Sequence, residues 1–198
     1  FQEFAKNLKE ELDYRVESFN ARRLADTMSI FPEVTVPKMY GHLTTAKVLT
    51  MDFVNGVKII KVDEIAAAGW DPAYLSSLFL RVMVKQIIFD GYFHGDAHPG
   101  NILCDLGNGN IIFLDMGMMG TLTQQKRMAI VDLLWSLSSG DKREIAKTVL
   151  RLSTSYKEVD EQSFIEEVER LLTRYTSFAG GSISIGGAMK ALFDAMYN

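Results

Sequence analysis

The chain has 198 residues, of which 47% are hydrophobic, and its formal net charge is −4 at pH 7. This length and apolar content suffice to bury one sizeable core, and the acidic balance argues against a nucleic-acid-binding surface. The one cysteine, Cys104, excludes an intrachain disulfide and fits a reducing compartment. The sequence has no recognisable signal peptide, and no uninterrupted apolar stretch reaches the ~20 residues that span a bilayer.

The first 54 residues predict one helix followed by two strands. Apolar residues recur at helical spacing within residues 3–28, at Leu8, Leu12, Val16 and Phe19. Pro32 and Pro37 bracket a non-helical link. Residues 39–43 and 47–54 are then predicted to form two strands around Thr44 and Thr45, and Asn55-Gly56 closes the segment with a turn.

Helical patterns dominate the rest of the chain. Residues 61–68 predict a short helix, and Asp71-Pro72 has the form of an N-cap followed by Pro at the first helical position. The apolar face of the helix that follows runs to about Asp90 and contains Leu75, Leu78, Phe79, Val82, Met83 and Ile87. Further helices are predicted at 123–138, 141–152, 160–175 and 188–197. With the strands described next, these elements predict an α+β fold.

Two polar segments flank a predicted hairpin near the middle of the chain. The first is His94-Gly95-Asp96-Ala97-His98-Pro99-Gly100-Asn101, and the second is Asp115-Met116-Gly117. Between them lie two short apolar runs, 101–104 and 111–114, separated by Gly107-Asn108-Gly109-Asn110, whose residues accept positive φ. Such a hairpin brings Asn101 and Asp115 to the same end, with Asp96 beside them on the preceding loop.

The residues gathered at this end of the hairpin suit ATP-dependent phosphoryl transfer. Asp96 is the candidate catalytic base or hydroxyl-orienting group, and Asn101 and Asp115 supply hard oxygen ligands for Mg²⁺, which neutralises phosphate charge. We expect His94 to buttress the loop through hydrogen bonds. For His98, a contact to the terminal phosphate and simple loop packing both stay open. The alternative for the whole segment is a polar loop whose Asn and Asp residues cap turns.

The sequence around these segments resembles the UbiB/AarF-type atypical kinase family. The resemblance rests on residues 91–103 and 114–118 and on Glu11-Leu12-Asp13 with Glu17 and Asn20 beyond it, and it runs from about residue 3 to beyond residue 170. Two departures stand out. The family usually has Phe where Met116 stands, and its N-terminal Lys-x-Gly-Gln motif, Ala-rich nucleotide loop and strand with the ATP-binding Lys are not present, so we expect the sequence to be incomplete.

The resemblance implies a protein-kinase-like fold and a role for several further residues. Residues 1–54 would be a partial small lobe of one helix and two strands, and residues 55–198 a mainly helical large lobe. Glu17 would be the C-helix Glu that pairs with the ATP-binding Lys. The backbone of the hinge, formed by Met51, Asp52, Phe53 and Val54, would hydrogen-bond adenine. Glu11 and Asp13 would belong to a regulatory Glu-x-Asp motif that meets the N-terminal extension.

The resemblance also implies a function and a location. The expected protein binds Mg-ATP and hydrolyses it or transfers its phosphoryl group, in association with quinone or isoprenoid-lipid metabolism. Its expected partners are ATP, a lipid or quinone precursor and a membrane surface on the cytoplasmic side, with no nucleic acid and no transmembrane segment in this chain. Two alternatives remain open, a small-molecule kinase of the aminoglycoside or choline kinase type and a pseudokinase-like module that binds nucleotide or lipid without catalysis.

Overall fold

A computed structural model describes residues 13–152 and 160–178. The chain divides into two compact units, Phe1–Leu122 and Thr123–Asn198. The architecture is mixed α+β, as predicted, with the strands and the polar segments in the first unit and only helices among the described residues of the second. The predicted domain boundary at residue 54 lies inside the first unit and stays a prediction.

The first helix, α1, covers Tyr14–Met28 and is shorter than the predicted helix at 3–28. Asp13 has extended dihedral angles (φ −119°, ψ 99°), and its carboxylate accepts the backbone N–H of Arg15 at 3.0 Å. A helix cannot run through this N-cap, because the capping residue has left the helical conformation. Of the predicted apolar stripe, Val16 is half-buried and Phe19 is exposed, so the prediction was wrong for Phe19; the buried face consists of Ser18, Ala21, Leu24 and Met28. The predicted residues 3–12 lie outside the described part.

The strands form a four-stranded and a two-stranded sheet. In the larger sheet the order is β1 (Val34–Thr35), β5 (Ile111–Phe113), β4 (Ile102–Cys104) and β2 (Val57–Lys58), with β1 parallel to β5 and the other pairs antiparallel. The smaller sheet pairs β3 (Tyr92–His94) with β6 (Met119–Thr121) in antiparallel fashion. The β4–β5 pair is the predicted hairpin, with Ile102 opposite Phe113 and Cys104 opposite Ile111.

The two strands predicted at 39–43 and 47–54 are wrong for most of their length. Only one antiparallel bridge, between Met39 and Met51, joins these segments, and Gly41–Leu43 forms a 3-10 helix instead. Threonine hydroxyls take the place of ladder bonds: Thr44 Oγ1 accepts from the Thr50 N–H at 3.2 Å, and Thr50 Oγ1 donates to the Leu43 carbonyl at 2.9 Å. Such side-chain bonds compete with a regular strand pair.

The helices of the first unit pack against the larger sheet. α2 covers Val62–Ala67, and α3 covers Pro72–Val84, capped by the Asp71 carboxylate as predicted. α3 continues as a π-helix, Lys85–Asp90, which ends at Gly91 with φ 65°. The core of this unit is apolar and fully buried, and its members include Leu24, Leu75, Leu78, Val82, Ile102, Ile111, Phe113 and Met116.

The segment Pro72–Asp90 is also the one stretch of the described residues with the length and mean hydropathy, 1.2 over its best window, of a membrane-crossing helix. Its apolar face nevertheless belongs to the protein core, because Leu75, Leu78 and Val82 are at most 2% exposed. Gln86, on the same face, is fully buried and hydrogen-bonded to the backbone of His94. These contacts are those of a central core helix, which is the role predicted from the sequence.

The described part of the second unit contains three helices, which confirm the predicted ones. α4 covers Gln124–Ser139, α5 covers Lys142–Leu152 and α6 covers Glu161–Phe178. They share an apolar core of Leu137, Ile145, Ala146, Val149, Ile165, Val168 and Leu172. Gly140, with φ 72°, ends α4 in the left-handed conformation that favours glycine. The helix predicted at 188–197 lies outside the described residues.

Candidate functional site

The β4–β5 hairpin places Asn101 and Asp115 at the same end, as its register predicts. Asn101 directly precedes β4, Leu114 follows β5, and the Leu114 N–H donates to the Asn101 carbonyl at 2.8 Å. Asp115 is the next residue. The apolar strand residues that fix this register are buried, Ile102 at 1% and Phe113 at 0% exposure. The geometry of the two polar positions is therefore set by the hydrophobic core beneath them.

His94 joins the loop that carries Asp96 to the segment that carries Asp115. Its Nδ1 accepts the Asp96 N–H at 3.1 Å, and its Nε2 lies 3.0 Å from the Leu114 carbonyl oxygen. Since a carbonyl only accepts, the ring proton resides on Nε2, and the two backbone groups together fix the tautomer. The ring is 2% exposed. These contacts agree with the predicted buttressing role.

The loop between Asp96 and Asn101 is held by its own side chains. Asn101 Nδ2 donates to the Asp96 carbonyl at 3.2 Å, which leaves the carboxamide oxygen as the end available to a cation. His98 Nδ1 accepts the Gly100 N–H at 2.9 Å, and His98 Nε2 lies 3.5 Å from Asp96 Oδ2. In this arrangement His98 contacts the Asp96 carboxylate and its own loop. The predicted phosphate contact stays a prediction.

Asp115 has an unusual backbone conformation. Its φ of 56° is the one positive φ at a non-glycine residue in the described chain. Asp tolerates this left-handed conformation better than most residues, at a cost of roughly 1 kcal/mol, and such conformations often occur at functional sites. Its Oδ1 accepts the Gly117 N–H at 3.3 Å. The charged carboxylate beside the neutral oxygen of Asn101 fits the oxygen ligands that Mg²⁺ prefers.

Glu17 of α1 lies against the same segment. Burial and the neighbouring carboxylate of Asp115 raise the pKa of its carboxyl group, and the nearby backbone amide of Met116 acts in the opposite direction. Within residues 13–152 and 160–178, no cation pairs with Glu17. The predicted Lys partner thus has no counterpart among the described residues, and Glu17 lies close to the segment that contains Asp115.

One cleft of 760 Å³ collects most of these residues. Its lining consists of Tyr14, Glu17, Leu49, Met51, Asp96, Asn101, Leu114, Asp115, Gly117 and Met118. Of the four predicted hinge residues, only Met51 belongs to this lining. The Asp52 N–H already donates to the Lys38 carbonyl at 2.9 Å, and the Asp52 carboxylate accepts from the Tyr40 hydroxyl at 2.7 Å. Phe53 is 88% exposed, and Val54 lies beyond the lining.

The predicted regulatory pair is only half described. Asp13 caps α1 and forms an ion pair with Arg15, with 2.6 Å between Oδ2 and Nη2, and these bonds lower its pKa. Glu11 lies outside the described residues, and the regulatory role of both stays a prediction.

Three residues that support the site received no role in the sequence interpretation. Gln86 Oε1 accepts the His94 N–H at 2.9 Å. Asn20 Nδ2 donates to the Met116 carbonyl at 2.9 Å, and the Tyr92 hydroxyl donates to Asn20 Oδ1 at 3.0 Å. Gln86 could have been found, because it falls four residues after Val82 on an apolar helix face, where a polar side chain needs a partner. Asn20 and Tyr92 both belong to segments that carry the family resemblance, but their residue types alone did not indicate these contacts.

Comparisons with known proteins show which family this chain belongs to. Residues 1–149 match the ABC1 atypical kinase-like domain. An uncharacterised protein of Synechocystis is 33% identical over 150 residues, covering 76% of this chain and 22% of that protein. The chloroplastic protein ACTIVITY OF BC1 COMPLEX KINASE 8 of Arabidopsis thaliana is 32% identical over 153 residues, covering 77% of this chain and 20% of that protein. An uncharacterised protein of Mycobacterium tuberculosis is 32% identical over 200 residues, covering 98% of this chain and 41% of that protein.

A solved structure shares the fold. The complex of Mycobacterium tuberculosis Rv3197 with erythromycin superposes with a TM-score of 0.58 at 21% identity, covering 89% of this chain and 44% of that one. At this level of identity the likeness concerns the fold alone. The chain spans between about a fifth and two fifths of the length of the relatives named here. With three quarters of its residues matched, the chain belongs to the ABC1 atypical kinase-like family, also called the UbiB family.

Proposed function

We propose that this chain is the core of an atypical kinase-like protein that binds Mg-ATP and hydrolyses it or transfers its phosphoryl group. The observation that carries the proposal is that Asp96, Asn101 and Asp115, singled out by their spacing, line one cleft together with Glu17. The cleft volume of 760 Å³ falls in the range of small-molecule and cofactor sites. Family membership supports nucleotide binding as the coarse function.

Each site residue has a separate task in the proposed reaction. Mg²⁺, when bound, would neutralise phosphate charge and orient the terminal phosphate. The carboxylate of Asp115 and the carboxamide oxygen of Asn101 are the groups that would hold it. Asp96 would accept the hydrogen bond of the attacking water or hydroxyl and take its proton, as a new P–O bond forms and the bond from phosphorus to the ADP oxygen breaks.

The adenine of ATP is proposed to bind the backbone near Met51, which lines the cleft. The N–H of Asp52 is already bonded to the Lys38 carbonyl. Other backbone groups of the segment from Met51 to Val54 would therefore have to bind adenine. Glu17 is proposed to orient a Lys side chain toward the phosphates, as the family resemblance implies.

The wider role is proposed from the family. The UbiB resemblance suggests a role in quinone or isoprenoid-lipid metabolism at the cytoplasmic side of a membrane surface. The name of the chloroplastic Arabidopsis relatives refers to the activity of the bc1 complex, and we propose a related role for the protein to which this chain belongs. A lipid or quinone precursor is accordingly the proposed partner or acceptor.

A phosphate-release assay on the full-length protein tests this function. Mg-ATP is supplied with and without quinone-precursor analogues, and the Asp96→Asn variant serves as the control for contaminating ATPases. Release that requires Asp96 and rises with an analogue is the expected result. Tight Mg-ATP binding without any release would instead identify a pseudokinase-like module, and transfer to an aminoglycoside or choline would identify a small-molecule kinase.

A further inference from the structure

The peptide group of Met116 is held by α1. Asn20 Nδ2 donates to its carbonyl oxygen at 2.9 Å. Glu17, three positions earlier on α1, lies on the same helix face and is also close to the Met116 backbone. Met116 itself is fully buried. The residue that directly follows Asp115 is therefore held through its carbonyl by a side chain from a distant part of the chain.

Asn20 is in turn oriented by Tyr92. The Tyr92 hydroxyl donates to Asn20 Oδ1 at 3.0 Å, and because the Met116 carbonyl can only accept, the amide nitrogen must face it. One turn along α1, the Arg23 guanidinium lies 3.8 Å from the centre of the Tyr92 ring. Tyr92 begins β3, whose last residue is His94. Asn20 thus connects α1 to the segment of Asp115 and to the strand that leads to Asp96.

We propose that Asn20 is a positioning residue for the cation site, acting through the Met116 carbonyl to keep Asp115 in its left-handed conformation. A non-glycine residue stays at a φ such as 56° only where the surrounding contacts hold it there. The amide of Asn20 is neutral, so it holds this peptide without adding charge beside Asp115. This inference rests on the proposed function, because positioning matters only if Asp115 binds the Mg-nucleotide.

The decisive variant is Asn20→Leu, which keeps the volume but removes both hydrogen bonds. In the full-length protein we expect the Mg²⁺ concentration for half-maximal ATP turnover to rise roughly fivefold to tenfold. This is the effect of losing the one hydrogen bond to the Met116 carbonyl. Tyr92→Phe removes only the bond that orients Asn20, so a shift below about twofold is expected. Leu24→Val, at a fully buried position of the same helix, controls for loss of α1 packing and should leave the Mg²⁺ requirement unchanged.

Hydrogen exchange of residues 114–118 without metal or nucleotide provides a readout that is independent of activity. Faster exchange there in Asn20→Leu, but not in Leu24→Val, is the expected result. An unchanged Mg²⁺ requirement and unchanged exchange in Asn20→Leu would overturn the inference, as would an equal shift in Leu24→Val. If the wild-type protein binds no Mg-nucleotide, the proposed function fails and this inference fails with it. If the wild-type protein binds Mg-nucleotide but Asn20→Leu changes neither readout, only the inference about Asn20 fails.

Discussion

Replacing His94 with Ala tests whether the catalytic loop and the segment of Asp115 are held together by one side chain. The ring is 2% exposed and bonds the Asp96 N–H and the Leu114 carbonyl. Leaving these two backbone groups without partners costs ~1–3 kcal/mol each, less where water reaches them. We expect a loss of ~2–4 kcal/mol, which is a large part of the 5–15 kcal/mol that stabilises a typical domain.

The assay is thermal unfolding of the 198-residue chain followed by circular dichroism. At ~2–4 °C per kcal/mol for a chain of this size, Tm should fall by roughly 5–15 °C. His98→Ala is the matched control, because that ring is about half exposed and bonds only its own loop. Its effect should stay within ~1 kcal/mol. Equal shifts for the two variants, or a fall below about 2 °C for His94→Ala, would refute this account of the loop.

Three further variants follow from the site. Asp115→Asn should abolish Mg²⁺-dependent nucleotide binding in calorimetry with the fold intact, because Asn tolerates the same positive φ; unchanged affinity would mean that the metal site lies elsewhere. Asp96→Asn should slow phosphate release by orders of magnitude and spare Mg-ATP binding, whereas equal losses would make Asp96 a metal ligand. Glu17→Gln should raise Tm of the nucleotide-free chain. The pKa of Glu17 is raised in the folded chain, so protonated Glu17 stabilises the fold below the pKa of the unfolded chain, and this contribution is lost as pH rises through the folded pKa. The increase in Tm caused by Glu17→Gln should therefore be larger near pH 7.5 than near pH 4.5. A larger increase at low pH would contradict this.

The sequence could predict the parts of the fold whose signals are local. The hairpin that joins Asn101 to Asp115 follows from two apolar runs and a Gly-Asn turn, and the structure contains it with both residues at the same end, as predicted. The helices Gln124–Ser139 and Lys142–Leu152 follow from their periodicity, with bounds within about two residues of the prediction. In each case the pattern and the burial depend on residues close together in the chain.

The errors arose where a side chain competed with the backbone. Asp13 interrupts the helix predicted at 3–28, because its carboxylate bonds the Arg15 N–H and caps α1. A run of acidic residues does not predict this contact. Thr44 and Thr50 replace a strand pair with hydroxyl bonds. Threonine has a high β propensity, so the pattern predicted strands. Whether a threonine joins a strand or bonds the backbone through its hydroxyl depends on the segments that pack nearby, and the sequence pattern does not contain that information.

The contact between Glu17 and the segment of Asp115 gives the site a property that residue types alone do not convey. Two carboxylates face one cleft, and burial, together with the neighbouring charge of Asp115, raises the pKa of Glu17. In the absence of a cation this arrangement costs stability, because burial and the nearby charge both disfavour the ionised form of Glu17. A cation held by Asp115 would offset the part of that cost that comes from charge repulsion. The free energy recovered in this way would add to the affinity for Mg-nucleotide, so the same pair of acids that weakens the empty fold would strengthen binding.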